Sequence, residues 1–253
     1  HIELTFHAKL LGEEPGKFRI EAGPFAVVVL VIHGCIVGNA NHQDTLVLHV
    51  AEVRAVFLAA AGEAVCRANG ANSFAYQTIV GSGVRSNAVV PTATDKVMEN
   101  GEMVMLGIAP RINGYAGTFG HTIPVSGEYT PEQKKCLTDM IEVMQVTKRM
   151  LKIGNSGRQI DAEGRKLYDK GGYLKYIVCP FAHTMGLMEA EAPFFGPNSD
   201  DVLEKNMIVN VDVSFFGHPT LHGLRVETCY VITEDGCEAL CPEYEEELLN
   251  YVK

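Results

Sequence analysis

The sequence predicts an α+β fold in which two pseudo-symmetric α/β halves share one curved antiparallel sheet. Two observations predict it. Helical and strand-like patterns alternate as helix, strands and hairpin, then helices, strands and hairpin again, so the order of elements repeats. At 253 residues and 47% apolar content, the chain is also long enough to bury one large core. The halves share no obvious identity, so the repeat is one of architecture.

Residues 1–24 mix polar and apolar positions around Gly12, Pro15, Gly23 and Pro24 and read as an irregular or short-strand lead-in, with residues 25–253 forming a single domain. The apolar run of residues 25–37 fits a strand by its β-branched content and a buried helix by its length, and periodicity does not choose. Asp44-Thr45 is a good N-cap pair for a helix from Leu46 to Asn69, stopped by Gly70. Short β-like runs follow at Phe74–Val80 and Met103–Ile108, and the Asn113-Gly114 step predicts a hairpin that returns along Tyr115–Val125. Thr130 with Pro131 caps a helix running over Glu132–Ile153 to Gly154, and Ser156–Lys170 repeats that signature before Gly171-Gly172. Beyond a short run at Tyr176–Cys179, a loop over residues 180–201 leads to strands at Met207–Phe216 and Leu224–Thr233. Glu234-Asp235-Gly236 is a turn, and Glu243–Glu247 reads as a solvated helix face.

Composition removes several functions. With 21 basic and 31 acidic residues the formal charge is −10, which repels phosphate backbones and leaves no basic stripe, so nucleic acid is not an expected partner. Seven scattered cysteines without a paired framework read as free thiols of a reducing, cytoplasmic protein. No apolar run is long enough for a membrane helix. The chain begins at His1 with no signal-peptide pattern, as expected of a processed product or a piece of a longer protein.

Four ordered segments carry a resemblance. They are residues 74–83 (FAYQTIVGSG), 102–126 (EMVMLGIAPRINGYAGTFGHTIPVS), 182–193 (AHTMGLMEAEAP) and 206–240 (NMIVNVDVSFFGHPTLHGLRVETCYVITEDGCEAL). Together they resemble the creatinase and aminopeptidase family, which includes methionine aminopeptidases, Xaa-Pro peptidases, prolidases and creatinase. The resemblance implies the pita-bread fold of that family. Its metallopeptidases hold two metal ions with two Asp, one His and two Glu, an oxygen-rich set suited to divalent ions that activate water.

Carried over one position at a time, the resemblance puts Gly107 and Thr118 where the two Asp would stand. His183, Asp212 and Glu227 match the His and the two Glu, with Asp212 one methylene shorter. Two histidines that help peptidase members handle substrate are absent, since Ala88–Val90 contains none and Ala190 stands at the second position. Losing two of four carboxylates removes much of the charge that holds two dications together, so a dinuclear site is not expected. Creatinase, as the resemblance implies, keeps the fold without the metal pair.

Read from the residues alone, His183 suits either a general acid/base or a hydrogen-bonded buried imidazole. Asp212 and Glu227 lie on apolar strands, where a carboxylate must be paired, hydrogen-bonded or metal-bound; Arg225 or Arg111 offers the ion-pair alternative. The leading expectation is a metal-independent, creatinase-type hydrolase of a small C–N bonded substrate, with His183, Asp212 and Glu227 catalytic and Tyr115, His121 and Arg225 binding substrate. A noncatalytic pseudo-peptidase that binds a peptide or protein in the cleft is one rival. The other is an Xaa-Pro type peptidase with a single divalent metal at His183, Asp212 and Glu227, to which His121, His218 or His222 would add a ligand. The resemblance further implies a homodimer acting on a small-molecule or peptide substrate.

Overall fold

A computed structural model describes residues 52–250, together with the backbone of a short antiparallel pair, β1 (Ala8–Leu10) and β2 (Phe18–Ile20). The element expected over residues 25–37 and the Asp44-Thr45 cap lie outside the described residues. Helix α1 spans Ala55–Ala68 and ends at Gly70, whose φ of +100° suits glycine. It starts later than the expected Leu46, because residues 52–55 pair with another segment. Glu52 N–H donates to Met98 O at 3.0 Å and Ala55 N–H to Lys96 O at 3.0 Å, so these donors are already used when the helix begins.

Two expected strands prove to be broken. Phe74–Val80 divides into β3 (Ser73–Phe74) and β4 (Ile79–Ser82), and Tyr115–Val125 divides into β7 (Tyr115–Ala116) and β8 (Phe119–Pro124). Strand β5 (Met103–Ile108) appears as expected, and β6 (Pro110–Ile112) turns into β7 through Asn113 and Gly114, whose φ values of +54° and +90° match the predicted hairpin. Strands β3, β6 and β7 form a separate three-stranded sheet. Both breaks fall where the chain passes between this small sheet and the main one, and they leave Tyr76 and Thr118 at the junction.

Helix α2 (Pro131–Arg149) has the predicted Thr130 cap, reinforced by a reciprocal bond with Gln133, and Pro131 in its first turn. It stops at Met150, short of Ile153, because Met150 and Leu151 N–H groups donate to carbonyls three residues back. Helix α3 (Gly157–Gly171) follows the Ser156 cap and ends on left-handed Gly172. The segment expected to be a loop holds two strands, β9 (Ala182–Thr184) and β10 (Glu191–Phe194), while Leu174–Tyr176 is a 3-10 turn. Long strands β11 (Ile208–His218) and β12 (His222–Thr233), then β13 (Gly236–Ala239) and α4 (Pro242–Asn250), complete the fold.

The main sheet has eight strands, ordered β10-β9-β11-β12-β8-β5-β4 with β13 also on β12, and every pairing is antiparallel. Its two halves run β4, β5, β8 and β10, β9, β11, β12 from edge to centre, so the last strand of each meets at the seam. On β11, Val209, Val211 and Val213 are fully buried in the same core as Met140, Ile141 and Met144 of α2 and Tyr168 of α3. Each such aliphatic side chain contributes about 1.5–3 kcal/mol on burial. The alternating positions Asn210, Asp212 and Ser214 therefore face the other way, as strand geometry requires.

Helix α4 corrects the expectation of a solvated acidic face. Glu245 is buried, where its carboxylate accepts from Lys148 Nζ at 2.6 Å and from the Tyr230 hydroxyl at 2.8 Å. A charge run at the chain surface cannot be told from an anchor until the lysine it meets is known.

Candidate active site

Strand register brings the polar face together. Asp212 pairs with Glu227, Asn210 with Cys229 and with His183, and Ser214 with Arg225. His183, Asp212 and Glu227 are all buried, and each offers a ligand atom within 4.8 Å of the others. Period two explains why these residues converge: Asn210, Asp212 and Ser214 alternate with three valines, and Arg225, Glu227 and Cys229 alternate with Val226 and Thr228.

Hydrogen bonds fix the orientation of each group. Thr184 O can only accept, so the 3.1 Å contact assigns the proton to His183 Nδ1 and leaves the Nε2 lone pair facing the cluster. The Asn210 amide lies 3.3 Å from that Nε2 and also donates to Glu227 Oε1. Thr118 donates to the same Oε1 at 3.2 Å; its single proton thus used, its oxygen accepts from the Tyr76 hydroxyl at 3.2 Å. By contrast Glu227 Oε2 accepts no hydrogen bond among the described residues, though the residue is only 1% exposed.

Among the described residues one buried cation opposes these acids. Arg225 Nε donates to Asp212 Oδ1 at 3.2 Å and lies 4.0 Å from Glu227 Oε2. Burial works against the guanidinium charge, yet Asp212 and then Glu227 hold its proton more tightly than usual. Glu227 is pushed up to about 8, first by burial and then by Asp212, with Arg225 pulling the other way. Glu189, on the β9–β10 loop, is raised for the same two reasons and lies 3.8 Å from His183 Nε2. Tyr76 rises well above the usual phenol range through burial and then the charge of Glu227.

The two positions assigned to missing acids lie beside this cluster. Across the seam Glu227 pairs with Gly120, which pairs with Gly107. A Cβ on Gly107 would stand 3.0 Å from Ile79 Cδ1 and 3.2 Å from the Tyr76 hydroxyl, so that phenol occupies the space a first-strand carboxylate would need. Thr118 supplies a hydroxyl and no charge.

The other predicted binding residues divide. Arg225 joins the cluster as its buried countercharge. His121 does not: Gly120 faces Glu227, so the next residue on the strand points away, and the fully buried His121 ring packs edge-on against Tyr244 of α4 at 6.0 Å. Tyr115 is 66% exposed on the small-sheet hairpin. His218 accepts from Leu221 N–H at 3.2 Å within its own turn, and Arg111 donates to Leu187 O, so neither reaches the cluster. Sequence reasoning missed Asn210, Tyr76 and Glu189. Asn210 had a signal, lying two residues before Asp212 on the same strand face; Tyr76 and Glu189 lie at a strand break and in a loop and had none.

The residues present fit one divalent cation. A buried imidazole nitrogen and two carboxylates, one with an oxygen that accepts no hydrogen bond among the described residues, form a suitable donor set, whereas Gly107 and Thr118 offer a second ion no carboxylate.

Comparison with known proteins matches residues 39–234 to the model of metallopeptidase family M24. The Xaa-Pro dipeptidase of Pyrococcus furiosus is 29% identical over 192 residues, covering 76% of this chain and 54% of the relative. Among solved structures, the prolidase from Pyrococcus furiosus superposes with a TM-score of 0.72 at 28% identity, covering 76% of this chain and 56% of that one. The Xaa-Pro dipeptidase from Bacillus anthracis superposes at 0.71 and 31% identity, covering 76% and 53%. The chain spans about half the length of the curated relatives it matches. The pita-bread fold expected from the sequence is thereby shown.

Proposed function

The chain belongs to metallopeptidase family M24, and from that premise we propose that it hydrolyses an amide bond in a peptide-like substrate at a site holding one divalent cation. The observation that carries this reading is the buried His183, Asp212 and Glu227 set, within 4.8 Å of one another. An ion bound there would supply Lewis-acid chemistry to a scissile carbonyl and to water. The protein's own groups would then hold the site in shape. Asn210 spans His183 and Glu227, Arg225 fixes Asp212, and the Tyr76–Thr118 relay orients Glu227. Peptides with proline after the scissile bond are the first substrates to test, as the relatives' names suggest.

A metal-independent, creatinase-type reaction remains the second reading, and Arg225 favours it: a fixed cation already lies against Asp212 and near Glu227. Metal content separates the two. Protein purified without chelator should carry about one divalent ion per chain, lose it with His183→Ala, and lose turnover with it. Turnover that survives full metal removal would establish the second reading. Two ions per chain would overturn the one-ion proposal, and metal without any turnover across a peptide panel would leave only the cleft-binding role. A homodimer with a peptide as its small partner belongs to the same proposal, checked by sedimentation.

A further inference from the structure

We infer that Glu189 is an additional ligand of the single cation, supplying negative charge that Gly107 and Thr118 do not. The inference rests on the one-ion reading above. Glu189 sits in the connection between β9 and β10, and its carboxylate turns inward to lie 3.8 Å from His183 Nε2, with the side chain 21% exposed. It also lies close enough to Glu227 for the two carboxyl charges to interact.

Two carboxyl groups that close repel unless a proton or a cation lies between them. Among the described residues no hydrogen-bond donor reaches Glu227 Oε2, and the Arg225 guanidinium stays 4.0 Å away, although the residue is only 1% exposed. A buried carboxylate oxygen without a hydrogen bond, with its guanidinium no nearer than 4.0 Å, points to a bound cation.

Charge decides how many ions the site can balance. With the ion bound and all three carboxyl groups ionised, Asp212, Glu227 and Glu189 oppose one guanidinium, Arg225, and leave two negative charges in excess, the charge of one divalent ion. Without Glu189 the ion would be only half neutralised, and a second dication would turn the buried pocket positive.

The loop is built to hold this residue in place. Met188 N–H donates to Glu191 Oε1 at 2.7 Å, Gly186 N–H to Met188 O at 3.0 Å, and Arg111 Nη2 to Leu187 O at 2.9 Å. Glu189 is thus presented from a loop pinned on both sides. Three carboxylates with one imidazole form a hard set that suits manganese or zinc.

Calorimetric titration of the metal-stripped full chain with MnCl2 tests the assignment, with Mn(II) electron paramagnetic resonance as a second readout. Wild type should bind one ion, and Glu189→Gln should bind it about tenfold or more weakly. The stripped Glu189→Gln protein should unfold at the wild-type temperature or above, since a like charge has been removed; this separates lost ligation from lost folding. Glu189→Asp, with a shorter arm and the same charge, should fall between the two in affinity. Equal affinity in wild type and Glu189→Gln overturns the role of Glu189 and leaves the one-ion reading standing. No binding by wild type overturns both.

Discussion

Across the centre of the main sheet, one row of paired residues reads Asp212, Glu227, Gly120, Gly107, and its chemistry changes at the seam. On the β9–β11–β12 side the row carries two carboxylates, with His183 and Asn210 alongside; on the β4–β5–β8 side it carries two glycines. The two halves meet at β12 and β8 and share one apolar core. The difference teaches that the fold and the site draw on different faces of the same strands. Valines on the helix-facing side hold the sheet whether or not the opposite side is charged. The glycines still matter to the site, because the space they leave is taken by Arg225 and Tyr76.

The sharpest way to break that comparison is to remove the cation of the charged half. Arg225→Met should cost about 3–5 kcal/mol in urea unfolding, because Asp212 and Glu227 would stay buried without their partner. A loss below about 1 kcal/mol would mean the acids are already neutral or relieved by water.

Next in size is a pH effect confined to the glycine-bearing half. Burial lowers His121 from 6.5 to about 4. Between those values the unfolded chain binds a proton that the folded one does not, so stability falls as pH drops from 6.5 towards 4, by roughly 3 kcal/mol in all. His121→Leu should flatten that part of the stability profile. An unchanged slope would show that other groups carry it.

The smallest effect tests the seam itself. A Cβ on Gly120 would lie 2.6 Å from both Arg225 Cδ and Glu227 Oε2, so Gly120→Ala should cost about 1–3 kcal/mol and weaken Mn2+ binding. Wild-type stability with wild-type metal affinity would show that the long side chains shift aside freely.

Much of the fold was legible because its signals are local. Thr130 with Pro131, Ser156, and Asn113-Gly114 each act through neighbouring backbone groups, and they set α2, α3 and the β6–β7 hairpin where expected. The α1 start was misread because residues 52–55 give their hydrogen bonds to residues 96–98, a partner far along the chain. Likewise, Glu245 looked solvated until Lys148 and Tyr230 closed over it. At the site, the motif positions of His183, Asp212 and Glu227 were legible, and the structure brings those three together. His121 was misplaced by one step of strand alternation, the smallest error in register and one that moves a side chain to the opposite face.

By itself the sequence determined the caps of α2 and α3, the β6–β7 hairpin and the alternation on β11 and β12, and it put Gly107, Thr118, His183, Asp212 and Glu227 at the motif positions of a family it resembles. Capping, alternation and residue identity are written within a few positions of one another, so they need no folded partner to be read. Only the tertiary structure decided that Arg225 faces Asp212, that Tyr76 fills the gap beside Gly107, and that Glu189 turns inward to the cluster. Those facts depend on which distant strands pair and on which face each side chain emerges, and electrostatic energy between buried charges depends on their separation and burial, not on distance along the chain.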